Sequence, residues 1–314
     1  MSDMVRVEDQ VVYAYAAIQH LQHGRSLLDI AEELGVSRFA AGRMVQKART
    51  LGLFEVRPRL AEPVDPDLSR VLKDRFGLAG AFVVVAHSSR PEVIRSTIAG
   101  VAARAVSESI RDEYVVGLGS GRTIVEMCRQ MSDVPVCDVV QLTGAANGRA
   151  EDSLEAIVTL SRVARGRMYP LHSPFVATEV NAARVISAQP SIREALRRID
   201  SVQVAVLSIG GWPDSSLLAD LYGQLGEQDE LMRRGVVAEI GTTLLDADGQ
   251  RLPIVDERMI GISTRQLDQV PVVFGIGGGA GKERAVLAAL RSGLVDVVVT
   301  DARIARLALE ATVG

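Results

Sequence analysis

The sequence is poor in the residues that tie a chain to an oxidising compartment, a membrane or a metal. It has two cysteines in 314 residues, Cys128 and Cys137, both inside apolar runs. That pattern excludes a disulfide framework and suits a reducing compartment. No apolar stretch approaches the roughly 20 residues that span a bilayer, and the start of the chain lacks a signal-peptide pattern. The expectation is therefore a cytoplasmic protein with no membrane partner. No spacing of His, Cys, Asp or Glu suggests metal ligands, and neither a metal nor a cofactor is expected. Lysine is scarce: of 35 basic residues only Lys47, Lys73 and Lys282 are lysines, so each one invites a question. The net charge of −4 rules out a chain that is polycationic as a whole. Contact with nucleic acid would have to come from a local excess of positive charge.

What is present divides the chain in two. Residues 1–57 read as helices, without strands until their end. In the first helix, over 11–22, Ala14, Ala17, Ile18 and Leu21 share one face. Ser26 followed by Asp29 starts a second helix with Leu27, Ile30, Ala31 and Leu34 apolar. After the tight turn Gly35-Val36, Ser37 caps a third helix with Ala41, Met44, Val45, Ala48 and Leu51 inward. Two helices joined by a short glycine turn form a helix-turn-helix unit. The third helix presents Arg38, Phe39, Gly42, Arg43, Gln46, Lys47 and Arg49 outward. Six basic residues against one acid over 36–59 make a DNA-binding footprint. Ser37, Arg38, Phe39, Arg43 and Lys47 are its candidate contacts. A solvated basic helix in an ordinary bundle is the alternative. Residues 52–56 would open a small β wing.

Three prolines in 58–66 read as a linker, so the expected domains are 1–57 and 58–314. Beyond it, apolar strand candidates at 81–86, 114–118, 138–142, 202–209, 270–276 and 295–299 alternate with helices, among them 91–110, 153–165 and 281–292. Such alternation predicts a parallel, Rossmann-like sheet covered on both faces. Ligands of such sheets bind beyond the carboxyl ends of the strands. Polar or glycine-rich loops follow five of these strands, at 119–123, 143–147, 210–214, 277–282 and 300–301, and together they imply a pocket. Residues 241–256 break the rhythm, and within them 244–249 suggest a hairpin with an Asp-Gly turn.

The stretch 114–131 is the most informative. A short β-branched run is broken by Gly117, Gly119 and Gly121, and then Ile124, Met127, Cys128 and Met131 fall on one helical face. Thr123 and Glu126 have capping-box spacing. A strand, a glycine loop and a helix start gather N–H groups on an anion, and Ser120, Arg122 and Thr123 add donors. The loop matches neither G-x-G-x-x-G nor the P-loop pattern, which disfavours a dinucleotide or an NTP. A single phosphate suits it better; a plain strand-to-helix turn is the alternative.

The residues resemble the SorC family of bacterial transcriptional regulators, the DeoR-like sugar-binding regulators, over the whole length. The resemblance rests on 30–38 in the helix-turn-helix, Arg75-Phe76-Gly77-Leu78 after the linker, 117–123, Gly210-Gly211, 246–249, 277–282 and 299–301. It implies an N-terminal DNA-binding domain and an effector domain similar to the sugar-phosphate isomerase, deaminase and CoA-transferase fold. It also implies a homotetramer, a dimer of dimers, that binds operator DNA and a phosphorylated sugar or polyol and controls a carbohydrate catabolic operon. By position, Gly119, Ser120, Gly121, Arg122 and Thr123 would hold the phosphate, with Glu239 and Lys282 as effector contacts. Gly210, Thr143 and Asp246 complete the expected set, with Asn147 and Trp212 as walls. Where one member type carries a Schiff-base lysine, this sequence has Thr143, which argues against covalent binding. Gly42 replaces a small polar residue usual in the recognition helix. Lys282 follows four glycines in six residues and so falls at a helix start, a poor place for a cation unless an anion is near. Its alternative is a pairing with Asp301 or Glu283. An enzyme of the isomerase or deaminase type is the competing function, with Asp246, Glu239, Asp301 and Lys282 as its candidate bases. Leu68, Val71 and Leu72 share a face that either joins subunits or packs on its own domain.

Overall fold

A computed structural model describes residues 5–54, 62–145 and 150–311. The chain separates into two compact units, Met1–Ala61 and Glu62–Gly314.

The first unit holds three helices: α1 (Val7–Leu21), α2 (Leu27–Leu34) and α3 (Arg38–Thr50). Ser26 and Asp29 form the reciprocal capping box that starts α2, and Ser37 caps α3 by accepting from the Ala40 N–H at 3.2 Å. The core is small: Ala16, Ile30, Ala31 and Ala41, with Leu34, Val36, Met44 and Val45 against them. The inward face of α1 is Ala16 and Ala17, whereas Ile18 and Leu21, expected inside, are exposed. Leu51 is exposed too. An alanine face lets helices approach closely, and the larger residues are left at its edge. Leu53 and Phe54 form no strand, and the rest of the expected wing lies outside the described residues.

The second unit opens with α4 (Pro66–Phe76), capped by Asp65, and continues through β1 (Gly80–Val84), α5 (Pro91–Ser109), β2 (Val115–Leu118), α6 (Arg122–Gln130) and β3 (Cys137–Gln141). Then come α7 (Ala150–Ala164), β4 (Arg165–Tyr169), α8 (Val180–Ser187), α9 (Pro190–Ile199), β5 (Val204–Gly211), α10 (Leu217–Gln224) and α11 (Gln228–Arg233). The chain closes with β6 (Ala238–Ile240), β7 (Thr243–Leu245), α12 (Thr264–Leu267), β8 (Val272–Ile276), α13 (Glu283–Arg291), β9 (Val297–Asp301) and α14 (Ala302–Glu310).

The sheet order is β1-β9-β8-β5-β2-β3-β4, parallel throughout, with β6 antiparallel on the end of β5 and β7 on β6. One apolar layer lies on each face. Ala205, Leu207, Ile209 and Val273 point into one, and Val204, Val206, Phe274 and Ile276 into the other. Consecutive apolar residues therefore serve opposite faces, which is why these strands read as unbroken hydrophobic runs. From β2 the chain proceeds to β3 and β4 on one side, then returns to β5 and β8 on the other. The order reverses between β2 and β5, and a ligand crevice opens at such a switch point.

Some elements depart from the sequence reading. β4 was not expected: its residues are polar, and it is an edge strand with one paired side. Leu72 is fully buried and Leu68 packs on the domain's own core, so of the three only Val71 is exposed. The expected turn at 246–249 does form, with Leu245 and Arg251 bridged antiparallel, Asp246 N–H on Gln250 O and Leu252 N–H on Leu244 O, and a further antiparallel hairpin, β6–β7, turns at Gly241-Thr242.

Candidate functional site

At the switch point a cavity of about 310 Å³ opens over the carboxyl ends of β2 and β5. Nine expected residues line it: Gly119, Ser120, Gly121, Arg122, Thr123, Thr143, Gly210, Glu239 and Lys282. They come from five separate stretches of chain.

The first wall is the loop after β2. Gly121 has φ +148°, and a Cβ there would lie 2.3 Å from Ser208 Oγ, so only glycine passes so close to β5. The helix then starts one residue before the expected Thr123. Gly121 is the N-cap of α6 and no side chain caps it. The Thr123–Glu126 capping box does not form, because Glu126 accepts from Ser96 Oγ and Gln130 Nε2 instead. The first turn of α6 thus faces the cavity with its positive dipole end. Ser120 Oγ and Thr143 Oγ1 are 2.8 Å apart, which ties this loop to the end of β3.

The opposite wall is built around Glu239, which is buried and pairs across the sheet with Gly210. A Cβ on Gly210 would lie 1.9 Å from Glu239 Oε1, so the missing side chain is the space the carboxyl group occupies. Burial pushes that carboxyl up to about 7, against hydrogen bonds from Ser216 and Trp212 and the nearby Lys282 ammonium. Lys282 is the N-cap of α13, and its Nζ donates to Ile209 O at 2.6 Å. Burial lowers its pKa, Glu239 raises it, and Arg122 lowers it further. Lys282 makes neither of the pairings offered as alternatives. Asp301 caps α14 and accepts from the Gly279 N–H at 2.7 Å, and Glu283 pairs with Arg303. Asp301 braces the glycine loop after β8.

Two expected residues stand elsewhere. Trp212 lies outside the cavity but donates its indole N–H to Glu239, so it acts as a support behind the wall. Asp246 is spent on its turn, accepting from the N–H groups of Asp248 and Gln250, and with Trp212 it lines a separate surface cleft. Asn147 lies outside the described residues. The sequence reading missed Arg95, Phe175, Asp214, Ser216 and Asp220, which also line the cavity. Asp214 belonged to a flagged loop. Arg95 comes from the first turns of α5, and no local pattern there distinguishes it from an ordinary helix cation. Among the described residues no cluster of His, Cys, Asp and Glu could hold a metal, and no helix is long and apolar enough to cross a membrane.

Comparison with known proteins agrees with this architecture. Residues 64–310 match the family described as "Putative sugar-binding domain", and the chain belongs to that SorC-like family. It is 26% identical over 307 residues to the transcriptional regulator LsrR of Enterobacter sp. strain 638, covering 96% of this chain and 93% of that protein. It is 25% identical over 306 residues to the deoxyribonucleoside regulator of Bacillus subtilis strain 168, covering 95% and 97%. The full-length sorbitol operon regulator SorC from Klebsiella pneumoniae superposes with a TM-score of 0.74 at 20% identity, over 97% of this chain and all of that one. These proteins are named as regulators, not enzymes. The chain is a transcriptional regulator with a sugar-binding domain, and the isomerase or deaminase alternative falls away.

Proposed function

We propose that this regulator responds to a phosphorylated sugar or polyol held in the cavity over β2 and β5. The uncapped start of α6 opening into that cavity carries the reading. A dianion is the ligand that a helix start with two hydroxyls and Arg122 favours. Arg95 and Lys282 add positive charge to the same space. Glu239 and Lys282 suit the hydroxyl-bearing end: a buried acid and an ammonium, already coupled, exchange protein partners for sugar hydroxyls without a new burial cost. Binding is non-covalent, because Thr143 stands where an amine would be needed.

The N-terminal unit is read as the helix-turn-helix that engages operator DNA, with α3 as the recognition helix and Arg38, Arg43 and Lys47 at the groove. One such unit reads a short half-site, so paired copies on a two-fold site are expected, in a homotetramer built as a dimer of dimers. The regulated genes are those of a carbohydrate catabolic operon in the cytoplasm. The similar sorbitol operon regulator and deoxyribonucleoside regulator support that assignment by their names.

Calorimetry of the full chain against a panel of sugar phosphates and the matching free sugars tests the effector site. Arg122→Ala and Lys282→Ala should each weaken the tightest sugar phosphate by roughly 10- to 100-fold, the range of a lost charge-assisted hydrogen bond. The free sugar should not bind at comparable strength. Unchanged affinity in both variants, or equal binding of the free sugar, would show the site to be misassigned.

A further inference from the structure

We propose that Phe39 reads the 5-methyl group of a thymine in the major groove, on a stretch of α3 that Gly42 leaves bare. The inference rests on the reading of α3 as the DNA-facing helix and adds a base-specific contact to it. Phe39 is 81% exposed, the most exposed large apolar side chain among the described residues. It is the second residue of α3, and nothing in its own unit covers it. One helical turn on, at the i+3 position, stands Gly42. Neither space nor backbone demands a glycine there. A Cβ would meet only Leu27 Cδ1, at an ordinary 3.6 Å, and the backbone is helical. Glycine in mid-helix is the poorer choice for stability, so the bare patch beside the ring is better explained by close approach of something outside the unit.

The neighbours say what that is. Arg38, Arg43, Lys47 and Arg49 are all exposed, and none forms an ion pair with another described residue. An apolar ring set among open cations suits a polyanion that also presents an apolar group. In the major groove of B-DNA the base edges offer donors, acceptors and one apolar group, the thymine methyl. A second copy of this chain would offer apolar surface, but its net charge of only −4 makes it no polyanion.

The probe is the duplex that the full-length protein enriches from a random DNA pool. Each thymine in turn is replaced by deoxyuridine, which removes the methyl and keeps every hydrogen-bonding group. Wild type should lose about fourfold in affinity at one thymine per half-site, the effect of one buried methyl. Phe39→Ala should bind the thymine duplex more weakly and be indifferent to that replacement. Phe39→Leu should keep part of the preference. Wild type that binds deoxyuridine duplexes as tightly as thymine ones overturns the inference, as does full methyl sensitivity in Phe39→Ala. A Phe39→Ala chain that changes its oligomeric state and keeps its methyl sensitivity makes Phe39 a contact between copies, which also overturns it. Enrichment of no duplex would remove the DNA reading itself, a separate failure from methyl indifference in an enriched one.

Discussion

The exposed face of α3 and the cavity at β2 and β5 are both read here as sites for phosphate, yet they are built on opposite terms. On α3 the cations stand in water, with Arg38, Arg43 and Lys47 exposed around an exposed ring. In the cavity Glu239 is buried, and Lys282 is half-buried and bonded to a backbone carbonyl. A solvated cation binds a phosphate mainly by releasing counterions, so its strength follows salt. A desolvated pair is held in place before the ligand arrives, so its strength follows protonation and geometry. The same ligand chemistry can thus be answered by two physical mechanisms in one chain, one controlled by ionic strength and one by pH.

The largest effect should separate them. The triple variant Arg38→Ala, Arg43→Ala, Lys47→Ala removes three cations, each worth about 1–3 kcal/mol if it meets a base edge. Affinity for the selected duplex should fall by at least about 100-fold, and the dependence of log affinity on log salt should shrink by about 0.9 for each of the three that meets a phosphate and not a base edge. Calorimetry with the sugar phosphate should be unchanged within about twofold. A folded triple variant that retards the duplex like wild type would dissolve the comparison, because α3 would not be the DNA face.

How much of this could be read from the sequence follows from where the information lies. The parallel sheet was legible because each of the six expected strands is apolar on both faces, and their positions held to within two residues at every end. β4 was invisible because an edge strand with polar residues carries no hydrophobic period. Eight of the nine cavity residues that were anticipated stand at strand ends or in polar or glycine-rich loops, where local chemistry announces them, whereas Glu239, in the middle of β6, was expected only from the family resemblance. Arg95 and Asp220 sit inside helices that tertiary packing swings over the cavity, and nothing within a few residues encodes that. Trp212 and Asp246 show the converse. Both have suggestive chemistry, but one is committed to holding Glu239 and the other to its own turn. The outward displacement of Ile18 and Leu21 has the same origin: helical period gives a stripe, and only the packed partners decide which edge of it is inside.

A smaller effect should show the pH control of the cavity. Burial raises Glu239 from the ordinary 4.5 to about 7. The folded chain therefore holds a proton that the unfolded chain has released between those values, so this group's contribution falls as pH rises from about 4.5 to 7. The total is about 3 kcal/mol at 1.36 kcal/mol per unit. Glu239→Gln has no such term, so the variant should gain on wild type as pH rises. Thermal melts at pH 5 and pH 8 should show the difference in Tm growing by several degrees toward the higher pH. A constant offset across that range would mean that the carboxyl is not held protonated by burial.

The smallest effect sharpens the other side. Ser37 was expected at the groove, and in the structure its Oγ is engaged as the cap of α3. Ser37→Ala should cost about 1 kcal/mol, read as faster amide hydrogen exchange in α3. Ser37→Asp separates the two roles, because aspartate caps a helix start as well as serine does and the dipole favours its charge. Exchange in α3 should therefore return to the wild-type rate. The new carboxylate would face the same phosphates that Arg38 is read to approach, and like charge at that position should lower duplex affinity by about tenfold. A variant with restored exchange and undiminished affinity would confine Ser37 to capping, and the DNA footprint would then begin at Arg38.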